Sequence, residues 1–345
     1  MQNFAYARAD GLEAAIAAVS EGGHLVAGGT EFLNWMRLGI ADADRVMDIG
    51  RIEELRGITL NGAVIRIGAL STLNEIEGSE IVREHAPVLS EACLKAASAQ
   101  LRNRATIGGN VLQKTRCPYF RAEAANAVRM PWPCNKRVPG SGCAAWEGHY
   151  SRASLFGWTS NCVANQPSDP AVALSALDAV VEVVGPNGAR TIAMRDFHLT
   201  QREAGELVGS PEAEALVENR LQADELIVAY DVPVDAASRR SAYLKVRERE
   251  SYEYAMTSAA VCLDMAGDTI DSARIALGSV AQKPWRLEAA EDELAGVVLT
   301  AEALDPILDR AIADASALPG QEYKIVLARN TARRALQIVG GKADG

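Results

Sequence analysis

The stretch "LVAGGTEFL" (Leu25 to Leu33) joins a predicted strand to a predicted helix through two adjacent glycines and a threonine. Gly28 and Gly29 allow backbone angles that other residues avoid, and they leave room for a ligand to approach the main chain. The helix that follows begins with free N–H groups, which bind anions. The stretch therefore indicates either a plain strand-to-helix turn or one side of a diphosphate site.

A second glycine pair follows in "TIGGN" (Thr106 to Asn110), about 80 residues further along the chain. Two such turns suit the two sides of one extended dinucleotide. Neither has the G-x-G-x-x-G spacing of a nicotinamide-binding Rossmann turn. An approximate match runs from Gly140 to Ala145, but it has no predicted strand before it or helix after it, and we treat it as chance.

Composition limits the partners and the compartment. The net charge is −10 and no run of Lys or Arg stands out, so nucleic acid and anionic membranes are not favoured. The N-terminus lacks the pattern of a secretory signal. Asp178 and Glu182 interrupt the most apolar segment too early for a transmembrane helix. We expect a cytoplasmic protein, or one exported together with a partner that carries the signal.

The two halves of the chain differ in their secondary structure pattern. The first half mixes predicted strands and helices, and "PNGA" (Pro186 to Ala189) is typical of a hairpin turn. After it come four strand-like runs and then helices, a pattern that predicts an antiparallel sheet covered by helices. The strand-like runs are "DELIVAYDVP", "SAYLKVRERE", "TSAAVCLDMAG" and "SARIALGSVA". We expect a domain boundary after residue 185.

Four of the six cysteines lie in one irregular region, at positions 117, 134, 143 and 162, with 16, 8 and 18 residues between them. Four thiolates suit a [4Fe–4S] cluster. Zinc is an alternative, although zinc sites usually pair ligands two to four residues apart, and none here are. Two disulfides would need an oxidising compartment, and His149 is a further conceivable ligand. Cys93 and Cys262 lie in apolar runs and are predicted to be buried structural thiols.

A family resemblance rests on "LVAGGTEFL", "LRNRATIGGN" and the later "PSD" (167–169). These motifs resemble the FAD-binding (medium) subunit of the molybdenum hydroxylases, the family of xanthine dehydrogenase and aldehyde oxidoreductase. The resemblance covers nearly the whole chain. It implies an α+β fold, with a two-part, PCMH-like FAD-binding domain over residues 1–185. A small C-terminal domain over 186–345 would follow, with an antiparallel sheet packed on helices.

The resemblance also implies a set of FAD contacts. Ile227 and Lys245 are placed only by the local patterns around them. The implied contacts are Leu25, Val26, Ala27, Gly28, Gly29, Thr30, Glu31, Phe32, Thr106, Ile107, Gly108, Gly109, Asn110, Gln113, Asp169, Ile227 and Lys245.

The cysteine region is similar to an insertion that only part of this family carries. Here it occupies about residues 115–166. The flavin subunits of 4-hydroxybenzoyl-CoA reductase and of the bacterial periplasmic aldehyde oxidoreductase hold a [4Fe–4S] cluster in such an insertion, and "RCPYFR…PCNKRVPGSGC" most resembles the second. The similarity implies the ligands Cys117, Cys134, Cys143 and Cys162. The spacing before Cys162 is longer than in the reductase pattern.

The function implied is that of an electron-transfer flavoprotein subunit without catalytic residues of its own. A large partner would hold molybdenum cofactor and a small partner would hold [2Fe–2S] clusters, and electrons would pass through FAD to an acceptor. The location would be periplasmic by co-export or cytoplasmic. Alternatives are a free-standing FAD oxidoreductase of the same flavin fold and a related subunit acting on aromatic CoA thioesters or N-heterocycles. A third alternative is a protein-interaction module without flavin, stabilised by zinc or by an iron–sulfur cluster.

Overall fold

The computed structural model describes residues 3–123, 130–148 and 150–341. Within these residues the strands form three sheets. The strands are β1 (Ala5–Arg8), β2 (His24–Val26), β3 (Arg45–Asp48), β4 (Ile58–Asn61), β5 (Val64–Gly68), β6 (Val180–Gly185), β7 (Gly188–Ala193), β8 (Leu226–Pro233), β9 (Ser241–Val246), β10 (Thr257–Ala266), β11 (Thr269–Gly278) and β12 (Trp285–Arg286).

Most of the helices are short and connect or cover these sheets. A 3₁₀ turn occupies Glu53–Leu55. The α-helices are α1 (Leu12–Ser20), α2 (Phe32–Arg37), α3 (Leu73–Gly78), α4 (Glu80–His85), α5 (Pro87–Lys95), α6 (Ala99–Arg102), α7 (Ile107–Val111), α8 (Pro118–Arg121), α9 (Ala144–Glu147), α10 (Asp169–Ala176), α11 (Met194–Phe197), α12 (Gln201–Val208), α13 (Pro211–Glu214), α14 (Ala236–Arg239), α15 (Glu288–Leu294), α16 (Ala301–Ala311) and α17 (Tyr323–Val339).

The first sheet is small and parallel, with the strand order β1-β3-β2. Helix α1 connects β1 to β2 and buries Ala15, Ala18 and Val19. The strand β2 ends directly before the first glycine pair, and α2 begins just after it. The predicted strand–glycine–helix order is therefore present in the structure.

The second sheet is antiparallel, in the order β4-β5-β8-β6-β7. The predicted hairpin at Pro186 joins β6 to β7, with Gly185 opposite Gly188. The sequence places β8 in the C-terminal sheet, and this expectation is wrong, because β8 pairs with β5 and β6. Residue 185 therefore lies inside this sheet, and we propose that the domain boundary falls between Pro233 and Ser241.

The third sheet is antiparallel, in the order β12-β11-β10-β9. One face packs Ala260, Cys262 and Ala276 into the core that it shares with α5 and α10. The other face packs against α15, α16 and α17, through residues such as Val261 and Leu263. Because both faces are buried, β10 is a nearly continuous apolar run. The predicted α+β fold, with its C-terminal antiparallel sheet on helices, is confirmed.

The described part of the cysteine region contains two short helices, α8 and α9, and a small apolar core of its own. Cys117, Phe120, Tyr150, Val163 and other side chains form this core. Backbone bonds from Leu155 and Phe156 to the carbonyl of Val280 tie the region to the C-terminal domain. In the part of the chain that the structure describes, no helix is both long and apolar enough to cross a membrane.

Candidate functional site

A cleft of about 970 Å³ lies where the three sheets meet, and both glycine pairs line it. All the predicted contacts line this cleft except Val26 and Ile107. Those two side chains point into the core, where they are 8% and 0% exposed. They hold the glycine segments in place from behind, and only their backbone is left to meet a ligand. The cleft brings together residues from positions 25 to 245.

The first glycine segment presents unused backbone donors to the cleft. Among the described residues, no acceptor receives the N–H groups of Gly28, Gly29 and Thr30. Gly29 has φ of +73°, which only glycine adopts readily. Helix α2 is six residues long, so the free N–H groups, rather than a long helix dipole, would attract a diphosphate.

Gly28 has a different role from the one that its position in the sequence suggests. A Cβ atom at this position would lie 1.8 Å from the carbonyl oxygen of Arg104. Its missing side chain therefore lets the first glycine segment touch the backbone that leads to the second. By contrast, a Cβ at Gly109 would meet only the Thr106 hydroxyl, at 3.2 Å. Gly109 is exposed and is the glycine that opens onto the ligand space.

The second glycine segment is held by side chain hydrogen bonds. Thr106 caps α7 by accepting a hydrogen bond from the N–H of Gly109 at 3.3 Å. The Ser168 hydroxyl donates to Asn110 Oδ1 at 2.6 Å and also caps α10. The "PSD" motif thus positions the second glycine segment as well as the start of α10.

Asp169 and Lys245 form a buried ion pair at one end of the cleft. Lys245 Nζ donates to Asp169 Oδ2 at 2.7 Å, and the Tyr243 hydroxyl donates to Asp169 Oδ1 at 2.6 Å. The Lys245 and Asp169 side chains are 2% and 7% exposed. Lys245 also donates to the carbonyl oxygen of Lys95 at 3.0 Å. Both charges are therefore fully partnered, as buried charges need to be, and they attach strand β9 to the cleft.

A second charged cluster connects the first glycine segment to the cysteine region. Glu31 accepts from Arg116 at 2.9 Å, and it also pairs with Arg121. The Trp35 indole N–H donates to Glu31 at 2.8 Å. Burial alone would raise the pKa of the Glu31 carboxyl, but the two arginines outweigh it and hold that pKa below its usual range. Both arginines lie beside the candidate cysteine Cys117 in sequence, yet their direct partner is Glu31.

The structure gathers the four candidate cysteines in one region. All four belong to, or pack against, the same apolar core, and Cys134 lies opposite Cys143 on a short antiparallel bridge. The six cysteines are free thiols. Burial raises the pKa of Cys117 and of Cys162 to about 12, against the opposing effect of nearby backbone N–H groups.

The surroundings of these sulfurs bear on the kind of metal centre that would fit. Backbone N–H groups of Tyr119 and Phe120 face Cys117, and that of Ala164 faces Cys162. Such hydrogen bonds to sulfur are typical of iron–sulfur sites. Across the described ranges, no three His, Cys, Asp or Glu side chains are close enough to hold one metal ion. His149 lies outside the described residues.

The remaining two cysteines are where the sequence predicts them. Cys93 and Cys262 are each 0% exposed and lie in the main core, so their prediction as buried structural thiols is confirmed.

The cleft also contains residues that the sequence does not identify as part of a binding site. No local sequence pattern marks them, because only the topology of the fold brings their segments to the cleft. Examples are His24, Trp35, Leu221 and Tyr254.

Comparison with known families gives two matches that together span most of the chain. Residues 2–235 match the FAD-binding domain in molybdopterin dehydrogenase. Residues 242–339 match the CO dehydrogenase flavoprotein C-terminal domain. The break between the two matches falls where β8 ends and β9 begins.

Individual relatives resemble the chain over nearly its full length. The aldehyde oxidoreductase FAD-binding subunit PaoB of Escherichia coli K12 is 38% identical over 334 residues, or 96% of each chain. The carbon monoxide dehydrogenase medium chain of Hydrogenophaga pseudoflava is 30% identical, over 90% of this chain and 87% of that one.

A solved structure of the carbon monoxide dehydrogenase from Hydrogenophaga pseudoflava matches with a TM-score of 0.73 and 27% identity, over 99% of each chain. The motifs, the cleft, the two domain matches and these relatives agree. The chain therefore belongs to the family of FAD-binding medium subunits of the molybdenum hydroxylases.

Proposed function

We propose that this chain is the electron-transfer subunit of a molybdenum-dependent aldehyde oxidoreductase, passing electrons from its partners through FAD to an acceptor. The observation that carries the proposal is the single cleft onto which both glycine segments and the Asp169–Lys245 pair converge. The aldehyde assignment is supported by the 38% identity to the E. coli aldehyde oxidoreductase subunit.

The cleft fits FAD in size and in chemistry. Its volume of about 970 Å³ is at the upper end of the roughly 300–1,000 Å³ that small-molecule sites occupy. The free N–H groups of Gly28 to Thr30 would hold the diphosphate, and Gly109, whose own N–H donates to Thr106, leaves room for it. Ile227 and the aromatic rings of Phe32 and Tyr254 offer apolar walls. When bound, FAD supplies the ability to accept electrons singly and to pass them on in pairs.

The described histidines support a subunit that leaves substrate chemistry to a partner. His198 donates to the carbonyl oxygen of Val111 at 2.9 Å, and burial lowers the pKa of His198 to about 4. His85 contacts Arg239, and His24 stacks on Phe32 at 5.5 Å. His85 Nε2 lies 3.9 Å from the exposed Glu84 carboxylate, but neither residue lines the cleft. The described contacts of these three histidines include no serine or cysteine side chain that could act as a nucleophile. A free-standing flavoenzyme would need such a group for its substrate.

We further propose that Cys117, Cys134, Cys143 and Cys162 bind a [4Fe–4S] cluster. The convergence of four free thiols and the backbone N–H groups facing the sulfurs support this assignment. Cys117 directly follows Arg116, whose guanidinium pairs with Glu31 in the first glycine segment. The proposed cluster would thus lie beside the flavin cleft. Its chemistry when bound is one-electron transfer.

The partners follow from the same family. We propose a large subunit with molybdenum cofactor and a small subunit with [2Fe–2S] clusters. The names of the relatives, "medium chain" and "FAD-binding subunit", support a multi-subunit enzyme. Nucleic acid is not expected among the partners, because the net charge of the chain is −10.

Purification of the chain with its partners tests the proposal. We expect about one FAD per chain, aldehyde oxidation by the complex, and co-purification of a molybdenum subunit and a [2Fe–2S] subunit. Colourless protein that binds no FAD would contradict the flavin assignment. A complex that oxidises N-heterocycles or reduces aromatic CoA thioesters, but leaves aldehydes unchanged, would assign the subunit to one of those enzymes instead.

A further inference from the structure

A small cavity of about 20 Å³, lined mostly by polar residues, lies behind Gln113, between the flavin cleft and the cysteine region. Gln113 lines both the cavity and the cleft. The cavity wall also contains Lys136 of the cysteine region, together with Gln201 and Gln282. A water needs about 10–15 Å³ of accessible space and two to four polar partners. The cavity is therefore the right size for one water.

Two acceptors at this cavity have no partner. Gln201 Oε1 and Gln282 Oε1 are buried and accept no hydrogen bond from any described residue. Gln201 is only 1% exposed and Gln282 only 8%. The orientation of the Gln282 amide is set independently, because its Nε2 donates to the carbonyl oxygen of Cys162 at 3.1 Å. Leaving both oxygens unpaired would be costly, about 1–3 kcal/mol for each group.

One donor at the cavity is also unused. The Lys136 ammonium has three N–H groups. It donates one to the carbonyl oxygen of Ala215 at 2.9 Å and one to Glu218 Oε1 at 3.0 Å. The third has no acceptor among the described residues. The cavity thus offers one donor and two acceptors, which is the complement of a single water molecule.

We infer that one buried water occupies this cavity, accepting a hydrogen bond from Lys136 and donating to Gln201 and Gln282. Three hydrogen bonds are the usual number for a buried water. The water would join three segments that are far apart in sequence. It would also hold the Lys136 ammonium, which is 5% exposed, beside Cys134 and Cys162.

The water has a consequence for electron transfer that rests on the proposed [4Fe–4S] cluster. A fixed cation beside two cluster thiolates stabilises the more negative, reduced cluster, because opposite charges attract strongly in a buried site. Lys136 is thus a positioning residue for the cluster's electrostatics: Ala215 and Glu218 hold two of its N–H groups, and the water holds the third. Loss of the water should therefore lower the midpoint potential of the cluster.

A crystal structure of the purified complex, at a resolution where ordered waters are visible, tests the site directly. We expect one water within hydrogen-bond distance of Lys136 Nζ, Gln201 Oε1 and Gln282 Oε1. An empty cavity, or direct pairing of these three groups after repacking, would overturn the inference. This result does not depend on whether the cluster is present.

The variant Gln201→Met removes one acceptor with little change in side chain length, together with the long 3.5 Å hydrogen bond from Gln201 Nε2 to the carbonyl oxygen of Glu214. We expect loss of the water, retained iron, a lower midpoint potential for the cluster and an unchanged flavin potential. The matched control is Gln321→Met, because Gln321 is also a buried glutamine that holds a loop carbonyl, that of Tyr150 at 2.7 Å, but it does not line the cavity. The control should keep the water and the wild-type potential.

The possible outcomes distinguish the presence of the water from its effect on the cluster potential. A Gln201→Met protein that has lost the water but keeps the wild-type cluster potential would overturn the electrostatic role. Equal shifts in Gln201→Met and Gln321→Met would do the same, because they would indicate a general loosening of the loop. A wild-type protein without iron would refute the proposed cluster, and the crystallographic test of the water would still stand.

Discussion

Substitution of Gly28 by alanine should weaken FAD binding without filling the FAD site. A Cβ at this position would lie 1.8 Å from the Arg104 carbonyl oxygen and 2.7 Å from the carbonyl carbon. Because such contacts need at least 3.0 Å, the two glycine segments would have to separate by about 1.2 Å (3.0 − 1.8). Both neighbours are backbone, so no side chain can rotate away. The segments that would hold the two sides of the diphosphate therefore move apart.

The size of the effect follows from the hydrogen bonds at risk. A hydrogen bond to a charged group contributes about 1.5–3 kcal/mol. Loss of one or two such bonds to the diphosphate amounts to about 1.5–6 kcal/mol, or roughly 10- to 20,000-fold in Kd. The strain itself should lower the free energy of unfolding by about 1–3 kcal/mol, as overpacking does elsewhere.

The assay is titration of FAD into flavin-depleted protein, followed by quenching of flavin fluorescence, with urea unfolding measured in parallel. The matched control is Gly78→Ala, because a Cβ at the end of α3 has no atom within 4 Å. Gly109→Ala distinguishes the backbone contact at Gly28 from the ligand space at Gly109. It should leave stability nearly unchanged and weaken FAD binding by direct obstruction. A Gly28→Ala protein that binds FAD within threefold of wild type would refute the reasoning.

Three further predictions concern the charged and thiol groups. Lys245→Met should lower the free energy of unfolding by about 3–5 kcal/mol in urea titrations, because it leaves the buried Asp169 carboxylate without its ion-pair partner. The double variant Lys245→Met/Asp169→Asn should recover part of this loss. If Lys245→Met loses no more stability than the double variant, the prediction is wrong. His198 has a folded pKa of about 4, below the unfolded value of about 6.5, so its neutral form contributes stability at pH 7 that is lost as the pH falls through that interval. Wild type should lose about 2 kcal/mol more than His198→Gln between pH 7 and pH 5, and equal losses would contradict the burial argument. Cys134→Ser and Cys162→Ser should lose the proposed cluster, from about four irons per chain, while Cys93→Ser and Cys262→Ser keep it; full iron content in Cys134→Ser would exclude this ligand set.

Local sequence patterns were sufficient to predict those elements whose structure depends only on neighbouring residues. The strand–glycine–helix order at Gly28, the hairpin at Pro186 and the three strands β9, β10 and β11 follow from turn chemistry and periodicity. The placement of β8 could not be predicted in this way, because its sequence fits an antiparallel strand in either sheet. Its partners are β5 and β6, and only the three-dimensional arrangement selects them.

In the candidate site, too, local features could be predicted from the sequence and long-range contacts could not. The motifs locate the two glycine segments, but the sequence gives no reason why Gly28 in particular has no side chain, since Arg104 contacts it from 76 residues away (104 − 28). Long-range ion pairs are equally invisible in the sequence. Arg116 pairs with Glu31, and Lys136 pairs with Glu218. Any of the 35 basic residues could pair with any of the 45 acidic ones, and the fold decides which do.

The most direct test of the proposed function is rapid mixing of an aldehyde with the complex reconstituted from flavin-depleted chain and its two partner subunits. We predict that the aldehyde still reduces the molybdenum and [2Fe–2S] centres of the partners. Turnover with an external acceptor should stop, and added FAD should restore it. The purified chain alone should leave aldehydes unchanged. If the single chain oxidises benzaldehyde at a rate comparable to that of the complex, it is a free-standing flavoenzyme, and the electron-transfer account is wrong.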